Sequence, residues 1–201
     1  MLAHLLSTPS QLVAIPTGAG EAQQVPEAGL HYQLWAQWLP DSKGILFAAN
    51  QPGHASKLWV QSVFPPEPPR AFTEEGVDPE GKGLTPDGKM VAAKGPDGSY
   101  ALYPIYGGTP RPLPGIEPGD LFIRWSGDDK AFYTNTTGSL PAVLYKIDLS
   151  TGKKQKWREF APSDRPGVLG LNWAFLTPDG KQAVYYYSRF LKELQMVNGL
   201  R

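Results

Sequence analysis

Four times along this chain a bulky apolar pair is followed by Pro-Asp-Gly-Lys or a close variant, and then by a short β-rich run. The four copies read QWLPDSKGILF from Gln37, GLTPDGKMVAA from Gly83, RWSGDDKAFYT from Arg124 and FLTPDGKQAVY from Phe175. Their first aspartates, Asp41, Asp87, Asp128 and Asp179, lie 46, 41 and 51 residues apart. Four strands with their turns occupy roughly 40 to 50 residues in repeat propellers, so this is the spacing of blades.

The phrase has a mechanical meaning. Proline sets φ for the first turn position, aspartate hydrogen-bonds to a neighbouring amide, and glycine accepts a positive φ, so Pro86-Asp87-Gly88 and Pro178-Asp179-Gly180 are expected to join adjacent strands. The four aspartates are then turn formers rather than acids or metal ligands, because the spacing puts each at the same point of a different unit. Gly127-Asp128-Asp129 keeps the turn without the proline, which leaves its turn type open.

A second phrase accompanies each turn: an alternating strand, a small polar or glycine turn, and another short strand. It reads QLVAIPTGAGEAQQV, KLWVQSVFPPEPPRAF, SYALYPIYGGTPRPL and AVLYKIDLSTGKKQKW, with a shortened ELQMVNGL over residues 193–200. Period-two alternation of Tyr, Val, Ile and Trp predicts strands. Glycine and proline, 22 and 21 in 201 residues, are spread evenly, as many tight turns require. The expected fold is all-β: a propeller of four-stranded antiparallel blades, one region over residues 1–201 with about four and a half blades in an incomplete ring or fragment. The units fall near 1–28 (partial), 29–77, 78–118, 119–166 and 167–201 (partial). Leu12–Pro16 and Glu193–Leu200 would compete for one position if the two ends shared a blade.

Nineteen basic residues balance nineteen acidic ones, so no global field favours nucleic acid or an anionic membrane. The balance is uneven along the chain: residues 1–80 carry 3 Lys/Arg against 8 Asp/Glu, and residues 143–201 carry 10 against 5. Solvated blade edges of differing sign account for this, as would head-to-tail contact between chains. Cysteine is absent, which removes disulfides and thiolate chemistry. The first ten residues, MLAHLLSTPS, lack the basic flank of a signal peptide, and no window has the length of a membrane span, so no membrane insertion by this chain is expected. The compartment is left open; it would be periplasmic or extracytoplasmic if the parent protein is exported.

The phrases resemble the TolB-type, WD-repeat-like bacterial propellers, whose blades run roughly W-S-P-D-G-K, an apolar strand, and a strand ending in Gly-Gly. Trp38-Leu39-Pro40-Asp41, Leu84 to Lys89, Trp125 to Asp128 and Leu176 to Lys181 match the first part, and Tyr106 to Arg111 the later hairpin. The tail, Tyr185 to Arg201, also resembles the closing segment of propellers that follow serine/threonine kinase domains in some soil bacteria. The resemblance implies a rigid scaffold that holds proteins, peptides or small ligands by its loops, and it implies no chemistry of its own.

Catalytic signatures are missing from the sequence: no G-x-S-x-G elbow, no phosphate-binding loop, and no His/Glu pair at metal spacing. No enzyme activity, cofactor or metal is expected. His4, His31 and His54 fall in different units and read as surface or loop residues, and the carboxylates at Glu74, Glu75, Asp78 and Glu80 read as solvated charge. The six tryptophans read mainly as packing between blades. Asn135-Thr136-Thr137 fits a glycosylation pattern but reads as an exposed strand end. Propellers bind by loops leading into the innermost strands and joining the second to the third, which selects Asp120, Asp164, Arg165, Tyr187 and Arg189 as candidate ligand contacts. The function expected is a non-catalytic binding or scaffold module, the sensory part of a larger protein such as a kinase, with self-association able to complete the ring. The alternatives are the gating propeller of a prolyl-oligopeptidase-like peptidase, or a lectin-like or lyase propeller.

Overall fold

The structure is a computed structural model that describes residues 2–5, 11–136, 140–177 and 179–192. The side chains of residues 2–5, Leu34, Glu80, Lys82 and residues 171–173 lie outside that description. So do the expected strand over residues 193–200, Pro178 and Thr137.

Every regular element described is a strand. The first sheet holds β1 (Leu2–Leu5), β2 (Gln11–Ala14) and β3 (Gln23–Gln24), and the second holds β4 (His31–Trp38), β5 (Gly44–Asn50), β6 (Lys57–Ser62) and β7 (Arg70–Ala71). The third contains β8 (Asp78–Leu84), β9 (Met90–Lys94), β10 (Tyr100–Pro104) and β11 (Arg111–Pro112). The fourth contains β12 (Asp120–Trp125), β13 (Ala131–Thr136), β14 (Ala142–Asp148) and β15 (Lys154–Phe160), and the last has β16 (Val168–Leu176) and β17 (Ala183–Arg189). Within each sheet consecutive strands pair antiparallel. A single parallel bridge, Arg124 to Lys82, joins β12 to β8 and marks where the inner strands of neighbouring blades run side by side. This is the expected all-β propeller architecture: three four-stranded blades between a three-stranded sheet and a two-stranded one.

The four turn phrases fold alike. Leu39, Thr85, Ser126 and Thr177 each accept at their carbonyl from the amide three residues on, at 2.9–3.2 Å. The residue at that position has positive φ in every copy: Ser42 at 57°, Gly88 at 71°, Asp129 at 59° and Gly180 at 67°. Asp129 therefore stands where glycine is the unstrained choice, and the third turn is the same turn as the others. In all four, an oxygen of the aspartate accepts the amide two residues on: Lys43, Lys89, Lys130 and Lys181. In three, the preceding hydroxyl of Thr85, Ser126 or Thr177 also donates to it. Those hydroxyls, followed by the backbone amides, hold the carboxyls of Asp87, Asp128 and Asp179 below the usual aspartate range.

Outer-strand length follows proline content. Proline has no amide to give to a ladder, and β7, preceded by Pro-Pro-Glu-Pro-Pro, and β11, which lies within Thr-Pro-Arg-Pro, pair over two residues each. The proline-free KQKWREF of β15 pairs along its length with β14. The turn between them closes on Asp148, whose carboxyl is pulled down to about 2, chiefly by the hydroxyls of Ser150 and Thr151.

The core is four layers, one between each pair of successive sheets. Alternation assigns the faces: Ile45, Phe47 and Ala49 of β5 pack back toward the first sheet, while Leu46 and Ala48 pack forward onto Val91, Ala93 and Tyr103 of the third. Phe122, Trp125 and Phe132 form a buried aromatic group with centroids 5.4–5.8 Å apart between the third and fourth sheets. Trp59 and Trp125 are buried as expected, Trp35 and Trp38 are half-buried, and Trp157 is exposed beside the Tyr133 ring. Asn135 is buried within β13 between Leu121 and Leu144, so the glycosylation-like triplet does not begin at an exposed strand end.

Candidate binding mouths of the inner strands

The inner strands β4, β8, β12 and β16 lie next to one another, and their two ends present different chemistry. At the turn end, the last residues of β4, β8 and β12 open into a cavity of about 390 Å³. Gln37, Trp38 and Pro40 come from the second sheet, Leu84, Thr85 and Pro86 from the third, and Arg124 to Gly127 with Asp129 from the fourth. Its walls are thus the turn phrase itself, contributed three times in the same register.

Two features shape this mouth. β8 carries two glycines with no room for a side chain: a Cβ on Gly81 would sit 2.4 Å from the Ile123 carbonyl oxygen of the next inner strand, and one on Gly83 2.3 Å from that of Ala92 in β9. The indoles of neighbouring inner strands donate to the glycine carbonyls of β8, Trp35 Nε1 to Gly81 at 3.0 Å and Trp125 Nε1 to Gly83 at 2.8 Å. Arg124 contributes the cationic group. Its guanidinium donates to the Leu176 carbonyl at 2.6 Å and to that of Trp125 at 3.2 Å, and burial lowers its pKa. The lining combines half-buried indole, proline rings, one arginine and small hydroxyls, the mixture of apolar wall and few polar groups that suits a peptide or small organic ligand.

At the opposite end lie the residues selected from sequence. Asp120 begins β12 and is only 2% exposed. One oxygen accepts from the Lys154 ammonium at 2.7 Å and from the Glu117 amide at 2.9 Å; Oδ1 is buried without a hydrogen-bond partner among the described residues. Burial works against the charge of Lys154, but its bonds to Asp120 and Glu117 outweigh that and raise its pKa. Asp120 thus ties β12 to β15. Asp164, Tyr187 and Arg189 come together: Arg189 donates to the Asp164 carboxylate at 2.7 Å and to its carbonyl at 2.6 Å, and lies 5.9 Å from the Tyr187 centroid. The bond to Asp164 raises the pKa of Arg189. Arg165 is exposed, and its carbonyl closes the turn to Val168.

The cavity at the turn end was not among the sites selected from sequence. Its signal was the turn phrase, whose aspartates face their own backbone while the residues before them, such as Gln37 and Arg124, line the opening. Of the other residues considered, Glu75 pairs with His54 at 2.9 Å and Lys57 at 3.3 Å on the surface. Among the described residues no group of three or more His, Asp and Glu lies within reach of one ion, and no helix is long and apolar enough to cross a membrane.

Solved structures with this architecture are numerous. TolB of Acinetobacter baumannii is similar at 18% identity and a TM-score of 0.64, covering 93% of this chain and 51% of its own. An oligogalacturonate lyase of Vibrio parahaemolyticus is similar at 12% identity and 0.62, over 90% of this chain and 54% of the lyase. A prolyl endopeptidase is similar at 17% identity and 0.51, over 81% of this chain and 27% of the peptidase. The chain spans about half the length of that TolB. No protein-family model and no curated relative matches. At such identities the likeness is one of fold: the chain has the β-propeller architecture that these three proteins share.

Proposed function

We propose that this chain is a non-catalytic binding or scaffold module that holds a peptide segment or small organic ligand at the turn-end mouth of its inner strands. The observation that carries this reading is the 390 Å³ cavity walled by equivalent residues of three blades, with Arg124 as its cation and Trp38 and Trp125 as its aromatic walls. Asp164, Arg165, Tyr187 and Arg189 offer a second contact surface at the other end, with Asp120 bracing it through Lys154. The parent protein in this reading is larger, a serine/threonine kinase or similar receptor in which the arc is the sensory part.

The likeness to a prolyl endopeptidase favours one second reading, a propeller that gates access to a peptidase domain. Both readings require a ligand to enter at a mouth of the inner strands. The test is to pan a displayed peptide library against the full chain and measure affinities for the selected peptides. Gln37→Trp, which fills the cavity from its rim, should abolish binding and leave the far-ultraviolet circular dichroism unchanged. Unchanged affinity in Gln37→Trp, with loss in Asp164→Ala/Arg165→Ala, would move the site to the opposite end.

A further inference from the structure

We infer, on the reading that the turn-end cavity is the binding mouth, that it recognises a carboxylate attached to an apolar group and that Arg124 is the receptor for that carboxylate.

The repeat singles out the arginine. One residue before the end of each inner strand, β4, β8, β12 and β16 carry Gln37, Gly83, Arg124 and Phe175. Side chains this different at one position of the blade show that pairing the strand and closing its turn require no cation there, so the charge of Arg124 needs its own account. Two of its N–H groups are taken by backbone: Nη1 donates to the Leu176 carbonyl at 2.6 Å and Nε to the Trp125 carbonyl at 3.2 Å. These carbonyls fix the plane of the guanidinium without balancing its charge. Among the described residues Arg124 forms no ion pair, and its Nη2 group has no hydrogen-bond partner. Burial lowers its pKa, as expected of a cation taken from water with no counter-charge, and an anion in the cavity would supply one.

The other walls suit the apolar half of such a ligand. Trp38 lies nearly parallel to Phe64, with 6.3 Å between ring centroids and 8° between planes, and the Trp125 indole is tied to the Gly83 carbonyl at 2.8 Å. Both rings are therefore held in place before a ligand arrives, beside the rigid rings of Pro40 and Pro86. The lining holds one carboxylate, Asp129, which forms no ion pair with Arg124 and so opposes an incoming anion rather than neutralising its receptor.

Ligand-detected NMR titrations of the full chain with two pairs of capped dipeptides test this. N-acetyl-phenylalanyl-glycine is compared with its amide, and N-acetyl-phenylalanyl-glutamate amide with its glutamine counterpart, which separates a chain terminus from an acidic side chain as the source of the carboxylate. In at least one pair the acid should bind about 10-fold or more tightly than the neutral partner. Arg124→Gln should bring that ratio to about 1, and Asp129→Asn, which keeps a residue tolerant of the φ of 59°, should raise it about 2-fold or more. A loosened fold would weaken both members of a pair and leave their ratio, so the ratio distinguishes recognition from bracing. Equal binding of acid and neutral probe, a ratio that survives Arg124→Gln, or no binding by any of the four would overturn the inference. Peptides from the displayed library whose affinity falls in Gln37→Trp would then still place the mouth at this cavity, whereas affinity unchanged in Gln37→Trp would overturn the mouth itself.

Discussion

The second sheet and the last are written in the same phrase, yet only one of them is covered on both faces. Along β5 every residue but the terminal Asn50 is buried, whereas along β17 only Ala183 and Tyr185 are even half-buried. The sequences differ less than their surroundings do: Gly-Ile-Leu-Phe-Ala-Ala-Asn and Ala-Val-Tyr-Tyr-Tyr-Ser-Arg both place large apolar or aromatic side chains on either face of the strand. A strand of this kind therefore has two equally apolar faces, and its exposure is decided by its neighbours.

That contrast should be plain in stability. Phe122→Ala empties a fully buried site stacked on Phe132 and should cost about 3–5 kcal/mol by chemical denaturation, whereas Val184→Ala in dilute solution should change stability by less than about 0.5 kcal/mol. Equal losses would erase the distinction between covered and open layers. A smaller effect probes the joint between the two regions, because Gly180 of the last turn phrase packs on Tyr133 of the fourth sheet. A Cβ there would lie 2.6 Å from the Tyr133 hydroxyl at a φ of 67°, so Gly180→Ala should cost about 1–3 kcal/mol. Gly107→Ala, with φ of 101° but open space, should lose only the backbone part of that, about 1 kcal/mol. The smallest change sharpens the comparison among the turns: Asp129→Gly removes a Cβ from a φ of 59° and should raise the thermal midpoint, with a gain of about 0.5 kcal/mol.

The turns were the most legible part of the molecule, because Pro, Asp and Gly act within four residues and need no distant partner. The β-rich run Ile45 to Ala49 and its recurrence at blade spacing were legible for the same reason, and with them the propeller. The third turn was harder to read: Asp129 in place of glycine hides a φ that only the backbone reveals. Loop position selected Asp120, Asp164, Arg165, Tyr187 and Arg189 as candidate contacts, and the structure adds a cavity at the other end of the inner strands. That cavity is lined from three sheets at once, and it depends on how closely Gly81 lets β8 approach β12, a contact between residues about 40 positions apart. Asp120 was legible as a polar residue leading into an inner strand, but its Lys154 partner stands 34 positions away on an outer strand and left no local trace.

The prolines beside β7 and β11 have a consequence for what the rim of this molecule can join. A long flat outer edge would offer its unpaired amides and carbonyls to any extended segment, the usual route to runaway sheet growth. With two paired residues on the rims of β7 and β11, and five charged or amide side chains in the seven residues of β15, these three rims are poor at recruiting strands. At those three sheets growth by strand addition is discouraged, and contacts with other molecules fall to loops and turns instead.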